Sequence, residues 1–280
     1  MRFKSSASLP HVSPSPASPA SPRSAGSSGP PTDPPDPPDA WRAALDAPES
    51  RADPADFGKV WDSVVQGRLR PLSEAITKDR VCLVSQVIGG PQGLSPEDAS
   101  LVENVLCGEP RKALACELRI ALSTATGRFL RALAKLELAD RNVPLPLVLA
   151  AQCRAGAARI RSGRRAAVDY EGRRCLALGV PRPATKHLSP LTPSEQEVAQ
   201  WLIEGLTRYE IADRRATSVH TVAGQFHSIF ATLRVTGRYE LIRRAVELGC
   251  FDEPPTLSPS ERLRAAPDVR RFHSQARSAP

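Results

Sequence analysis

The sequence lacks any apolar run as long as the roughly 18 residues that a membrane-spanning helix needs. A secretory signal is not expected either, because Ser, Pro and His follow Arg2 and Lys4 where its apolar segment would stand. We therefore expect a cytoplasmic protein that has no membrane partner.

Cysteine pairs of the Cys-x-x-Cys type are missing, and most of the six cysteines stand at positions with an apolar pattern. This usage is typical of small buried side chains in a reducing compartment rather than of disulfides. His220 and His227 have no cysteine or carboxylate at a spacing suited to a shared metal ion. The sequence thus predicts neither a metal site nor a cofactor.

The familiar catalytic motifs are also missing. There is no glycine-rich phosphate loop, no nucleophile elbow and no HExxH motif. Carboxylate pairs such as Glu195 and Glu197 fall on predicted exposed helix faces. We expect no catalytic residues, and we do not expect an enzyme.

Proline is present in quantity, but its 28 residues are unevenly spread. From Ser5 to about Asp39 the chain consists mostly of Ser, Pro, Ala and Gly, which offer too little apolar surface to offset the entropy of ordering. Segment 1–50 is therefore predicted to be disordered, and 253–280 to be a flexible tail. The part that folds is predicted to span about 45–252.

One pattern occurs twice in this foldable part, 97 residues apart and without gaps. A fixed period that turn residues and apolar residues share indicates one folding unit used twice. The matching pairs include Pro96 and Pro193, Gly108 and Gly205, Thr124 and Thr221, Gly127 and Gly224, Phe129 and Phe226, and Leu136 and Leu233.

Each copy is preceded by a helix and a hairpin. Asp53-Pro54 starts the first such helix, and apolar strands flank the turns at Lys78-Asp79 and Glu171-Gly172. We predict a mainly α fold with two tandem four-helix helix-turn-helix units, each preceded by a short β-hairpin. The predicted segments are 53–93 (helix plus hairpin extension), 94–162 (the first unit), 163–190 (a basic hairpin connector) and 191–252 (the second unit).

The helices of the second unit can be placed individually. Thr192, Pro193 and Glu195 form a capping box that begins the first helix, and Gly205 ends it. Ser218 caps the third helix. The inward stripe of that helix is predicted to be Val222, Phe226, Ile229 and Leu233.

Five motifs of the second unit carry a family resemblance. They are Leu191-Thr192-Pro193, Glu204-Gly205-Leu206-Thr207, Glu210-Ile211-Ala212, Ser218-Val219-His220-Thr221-Val222 and Leu233-Arg234-Val235-Thr236-Gly237-Arg238. In this order and spacing they resemble the LuxR-type (GerE) DNA-binding domain of bacterial transcription regulators. The first unit keeps fewer of these residues and resembles a degenerate copy.

The resemblance implies a third helix that enters the major groove of double-stranded DNA and a fourth helix that forms a homodimer contact through Leu241, Ile242 and Ala245. RNA polymerase or another regulator is a further candidate partner. Candidate DNA-contacting residues are Thr126, Arg128, Arg131 and Lys135 in the first unit and Arg208, His220, Thr221, Gln225, His227, Arg234 and Arg238 in the second.

The charge distribution leaves two functions open. The net charge is +8, yet 94–152 and 191–250 each hold seven acids and seven bases, whereas 153–190 holds nine bases and two acids. A basic segment beside two neutral units fits a DNA-binding regulator in which both units act as a covalent pseudo-dimer. Neither unit carries Lys or Arg at the family's outer-face positions, which favours instead a helix-turn-helix module that contacts another protein.

Overall fold

The computed structural model describes residues 39–89, 93–138 and 143–252, together with the backbone of 268–271. This described part contains ten α-helices. They are α1 (Asp39–Asp46), α2 (Pro54–Val65), α3 (Pro96–Leu106), α4 (Arg111–Glu117), α5 (Leu122–Lys135), α6 (Leu145–Arg154), α7 (Pro193–Ile203), α8 (Arg208–Arg214), α9 (Val219–Leu233) and α10 (Arg238–Glu247).

The two hairpins join into one antiparallel sheet, so the fold is mixed rather than mainly α. The strands of the described part are β1 (Arg51–Ala52), β2 (Leu69–Ile76), β3 (Arg80–Val87), β4 (Gly163–Tyr170), β5 (Arg173–Pro181) and β6 (Asp268–Arg271). Their order is β1-β4-β5-β3-β2-β6. The central pair is β3 with β5, which places Leu83 opposite Leu178.

Pairing between the hairpins changes the role of the basic segment. Residues 163–190, predicted to be a basic hairpin connector, form the hairpin of β4 and β5, and β5 lies at the centre of the sheet. The apolar runs of β3 and β5 are buried on both faces, because helices cover both sides.

The ordered region also extends further than predicted at both ends. Residues 39–46 of the segment predicted to be disordered form α1, and 48–50 form a short 3-10 helix. In the predicted flexible tail, β6 pairs with β2. The rest of both terminal predictions, 1–38, 253–267 and 272–280, lies outside the described residues.

Helices cover the sheet on both faces. On one side, Trp41 and Leu45 of α1 cluster with Cys82, Val84 and Ala177. On the other side, α2 and α6 pack against each other and against the sheet. The Asp53 carboxylate accepts a hydrogen bond from the backbone N–H of Asp56 and so caps α2.

The helix bounds of the two units repeat at the spacing seen in the sequence. Helices α3, α4 and α5 begin 97 residues before α7, α8 and α9. Gly108 and Gly205 follow the first helix of each unit with the same φ of +94°. A Cβ at Gly108 would come within 2.9 Å of the backbone of Glu240, so this close approach to α10 requires glycine.

Helix α6 packs both against the first unit and against the sheet. α6 packs on α3, as the fourth helix of the first unit, and it also packs along α2 over the sheet. The Gln152 Nε2 of α6 is buried and donates to the carbonyls of Leu106 (2.9 Å) and Tyr239 (3.2 Å). α6 therefore links the end of α3 to the start of α10.

The fourth helix of the second unit is covered within the same chain. α10 packs against α3, α6, α7 and α9. Leu241, Ile242 and Ala245 each expose 0% of their surface. The prediction of a homodimer through these three side chains is wrong, because they are already buried within the protein's own core.

Three further observations concern the cysteines, membrane-spanning helices and metal-binding clusters. All six cysteines are free. No described helix is both long enough and apolar enough to cross a membrane. Within the same residues, no cluster of three His, Cys, Asp or Glu side chains could hold a metal ion.

Candidate nucleic-acid interface

α9 begins with a side-chain cap and follows a tight turn. Ser218 Oγ accepts from the backbone N–H of Thr221 at 3.0 Å, and the two hydroxyls lie 2.8 Å apart. Ala216, in the turn before α9, has φ of +48°, in the left-handed region. That conformation costs roughly 1–2 kcal/mol in a residue with a Cβ. Arg119 has φ of +53° at the matching place in the first unit.

The two faces of α9 have different surroundings. Val222, Ile229 and Leu233 are buried in the core, as the sequence predicted. Phe226, the fourth residue of the predicted stripe, is only partly buried and packs against the core. The predicted contact residues His220, Thr221 and His227 are exposed. The outer face of α9 is therefore polar and open over the length of the helix.

Gln225 does not belong to this open face. Its Nε2 donates to Ser194 Oγ (3.3 Å), and its Oε1 accepts from Arg215 Nη1 (3.1 Å). Ser228 Oγ donates to Glu195 Oε1 at 2.5 Å. Bonds from Ser228 and from Thr192 hold the pKa of the Glu195 carboxyl below its usual value. These contacts attach α9 to the start of α7.

Two exposed cations stand near the ends of the second unit's helices. Arg208 lies at the start of α8, with its guanidinium 5.2 Å from the ring centroid of Tyr209. Arg234 is exposed and ends α9 in the left-handed conformation, with φ of +53°. Both remain accessible, as the sequence prediction requires. Sequence reasoning missed Tyr209, which is 57% exposed; an aromatic residue among the polar residues of a short helix was the available signal.

Arg238 points inward. Its Nε donates to the carbonyl of Leu202 (2.9 Å), its Nη2 to that of Ile203 (3.0 Å) and its Nη1 to that of Val143 (2.9 Å). The guanidinium closes the free carbonyl end of α7, so it is not available for the predicted phosphate contact.

Most of the candidates in the first unit are also engaged within the fold. Arg128 donates through Nε (3.0 Å) and Nη2 (2.8 Å) to Asp98 Oδ1, and Lys135 Nζ donates to the carbonyl of Gly93 (2.6 Å). Thr126 is half-buried. Arg131 and Lys135 are the exposed members of the predicted set in this unit.

Apolar side chains occupy the surface next to the turn of the first unit. Leu118 and Leu122 are 46% and 48% exposed. The position that caps α5 is Ala121, which provides no side-chain hydrogen bond. These two side chains offer no hydrogen-bonding group to a DNA backbone.

The basic segment 153–190 is partly used to hold the fold together. Arg154 pairs with Asp62 of α2 at 2.8 Å, and Arg182 pairs with the buried Glu204 at the end of α7. Arg154 is nevertheless exposed, as are Arg159, Arg161, Arg165, Arg173, Arg174 and Lys186 of the segment.

A comparison with protein families places the second unit. Residues 189–245 match the model of the bacterial regulatory proteins of the luxR family. The matched span contains α7, α8 and α9 and most of α10. No curated protein matches the chain. The family match indicates a DNA-binding regulator.

Proposed function

We propose that the protein is a transcription regulator of the LuxR type that binds double-stranded DNA through its second unit, with α9 in the major groove. Segment 94–162 is then a degenerate copy of the same unit. The observation that carries the proposal is the open outer face of α9, where His220, Thr221 and His227 are exposed while the opposite face is buried. The luxR family match over 189–245 supports the same unit.

The proposed complex uses two kinds of contact. A major groove about 12 Å wide admits a helix, so His220, Thr221 and His227 can donate to or accept from base edges. Arg208, at the start of α8, and Arg234, at the end of α9, are exposed and can neutralise phosphates. The first-turn N–H groups of α9 add a favourable dipole for a phosphate.

Affinity in this arrangement comes mainly from phosphate contacts. The outer positions of α9 carry no Lys or Arg, so base reading relies on hydroxyl and imidazole groups. With about two to four phosphates neutralised, log K should fall against log salt with a slope of about −2 to −4.

A fluorescence-polarisation titration tests the proposal. The full chain is titrated into a labelled mixed-sequence duplex at several salt concentrations. We expect saturable binding that weakens as salt rises. Absence of salt-dependent binding at micromolar protein would exclude DNA as the partner.

A matched pair of cysteine probes identifies the unit that touches DNA. Thr124 and Thr221 are exposed threonines at the same position of α5 and α9. Thr124→Cys and Thr221→Cys are made separately in a Cys116→Ser background, which removes the exposed native thiol. Duplex DNA should slow alkylation at position 221 and leave position 124 unchanged. Equal protection at both positions would mean that both units enter grooves.

A protein-contact function is a second candidate for the first unit. The exposed Leu118 and Leu122 beside its turn favour it. The partner would be another regulator or RNA polymerase. Leu118→Ser combined with Leu122→Ser should then leave duplex binding unchanged while it weakens transcription from the regulated promoter. Loss of duplex binding in this variant would assign the surface to DNA instead.

A further inference from the structure

A hollow of about 270 Å³ lies between α2 and the sheet. Its apolar wall consists of Val60 from α2, Leu69 from β2, Val87 from β3 and Leu176 from β5. None of the residues that line it belongs to either helix-turn-helix unit. A ligand here would not compete for the outer face of α9.

Three cations from three different elements stand at the hollow. They are Lys59 of α2, Arg68 beside the start of β2 and Arg165 of β4. Asp56 forms ion pairs with two of these cations: its Oδ1 lies 3.1 Å from Lys59 Nζ and 3.7 Å from Arg165 Nη1. The hydrogen bond from Lys59 is the largest of the effects that lower the pKa of the Asp56 carboxyl. One carboxylate therefore serves two cations.

Arg68 has a different partner. Its Nη2 donates to the side-chain oxygen of Gln66, which is neutral. Within the described residues, Arg68 forms no ion pair. The hollow thus holds three positive charges against one negative charge, and an incoming anion would be attracted.

The wall of the hollow is open to water. Val87 is 46% exposed at the end of β3, and its exposed surface faces the same side of the sheet as α2. Burying apolar area is favourable by about 25 cal/mol per Å². A ligand with an apolar body covers this wall while its charged group meets the cations.

We propose that the hollow is a binding site for a small organic anion that has a charged head and an apolar tail of medium length. The volume lies just below the roughly 300–1,000 Å³ of ordinary small-molecule sites, which excludes a dinucleotide. The head contacts Arg68 and Arg165, and the tail lies on Val87 and Leu176. This site goes beyond the proposed DNA-binding function and does not depend on it.

Calorimetric titration of the full chain with octanoate tests the site. Acetate has the same head without the tail, and 1-octanol has the tail without the charge. We expect one octanoate per chain, bound at least about tenfold more tightly than either control, because the charged contacts and the buried tail act together. Binding of 1-octanol as tight as that of octanoate, or octanoate binding that does not saturate, would overturn the proposal.

Two variants separate a built site from general affinity for the basic surface. Arg68→Gln with Arg165→Gln should weaken octanoate binding about tenfold or more, with the fold checked by circular dichroism. The matched control is Arg173→Gln with Arg174→Gln, which removes two exposed arginines that do not line the hollow.

A filling variant provides an independent test. Val87→Trp is expected to occupy the hollow from its exposed rim and to abolish octanoate binding without loss of duplex binding. If the arginine control weakened binding as much as the Arg68 and Arg165 pair, or if Val87→Trp left it unchanged, the anion would not bind in the hollow.

Discussion

The first three helices of the two helix-turn-helix units begin at matching positions, but the outer faces of the units differ. The inward positions remain apolar in both, as with Ala125 and Val222 or Ala132 and Ile229. The outward positions differ: Leu130 stands in the first unit where the exposed His227 stands in the second. Packing constrains the buried set strongly, whereas the surface set can change at little cost in stability. Shape alone therefore does not identify the unit that binds DNA.

In both units the third helix contacts the first helix, but different residues make the contact. In the first unit, Arg128 of α5 binds Asp98 of α3. In the second unit, Gln225 occupies the place of Arg128 and binds Ser194 of α7, while Ser228 binds Glu195. The connection is kept with different chemistry. A basic residue on a third helix is thus not by itself a DNA contact.

The largest difference we expect between the two units is in how much their attachment to the rest of the fold contributes to the free energy of unfolding. Glu204 is buried and bonded to Arg182, and Gln200 donates to it at 3.0 Å. Glu204→Ala should lower the free energy of unfolding by about 3–5 kcal/mol, because Arg182 loses its counter-charge. Urea unfolding measures the change.

The variant compared with it in the first unit is Glu103→Ala, which removes a contact between α3 and α2. Glu103 Oε2 accepts from Trp61 Nε1 at 2.9 Å and is only partly buried. Its loss should cost about 1 kcal/mol. Equal losses for the two variants would show that both units are held with similar strength.

The next difference concerns DNA affinity. Gly224 and Gly127 occupy the same position in α9 and α5, and space around Gly224 is open. Gly224→Glu should weaken duplex binding about 100-fold or more, because a carboxylate would face the phosphates. Fluorescence polarisation measures the affinity of both variants.

Gly127→Glu should change the duplex affinity by less than about fivefold, since Arg131 Nη1 lies 3.4 Å from the position of the new Cβ and can pair with the carboxylate. Both substitutions replace glycine within a helix, so neither should destabilise it. If the two weakened binding equally, the first unit would also be in the groove.

Exchanging the N-cap residues of α5 and α9 tests a further difference between the two units. Ser218 caps α9, whereas Ala121 stands at the same position of α5 without a side-chain bond. Ser218→Ala should lower the free energy of unfolding by about 1 kcal/mol, and Ala121→Ser should raise it by up to the same amount. Thermal unfolding monitored by circular dichroism would detect both shifts. A loss of stability in Ala121→Ser would contradict this explanation.

The smallest effect depends on pH. Burial raises the pKa of the Glu103 carboxyl, so the fold favours its protonated form, and this contribution is lost as the pH rises through the folded pKa. Glu103→Gln keeps an acceptor for Trp61 and has no charge to bury. At pH 7 it should gain less than about 1 kcal/mol, and the gain should vanish below about pH 4.

Glu195→Gln is the control of opposite sign. Its carboxyl pKa is lowered, so the variant should lose stability at pH 7, and the loss should shrink as the pH falls through the unfolded pKa. Urea unfolding at pH 7 and at pH 4 compares both variants with the parent chain. The same pH trend in both would contradict the assigned causes.

Local features of this fold could be predicted from the sequence because their partners are a few residues apart. The capping box of Thr192 and Glu195 is present, with Glu195 Oε2 accepting from the Thr192 N–H at 3.0 Å. The hairpin turns at Lys78-Asp79 and Glu171-Gly172 separate strands at the predicted places. The inward stripe of α9 follows from its spacing alone.

Features that join distant parts of the chain were missed. Nothing local specifies that β3 pairs with β5, although the uninterrupted apolar runs of both strands indicate a sheet covered on two faces. The carbonyl of Val143 lies 95 residues from Arg238 in the sequence, so the inward turn of this arginine could not be foreseen. The same holds for the packing of α10 against α3 and α6.

Because α6 packs both on α3 and along α2 over the sheet, the helix-turn-helix part and the sheet part of the protein cannot be separated. A fragment that ends before 145 lacks α6, so α3 loses one of its packing partners. A fragment that begins after 154 also lacks α6, so β5 loses a helix that covers it. The region from α2 to α10 should consequently melt in a single cooperative transition.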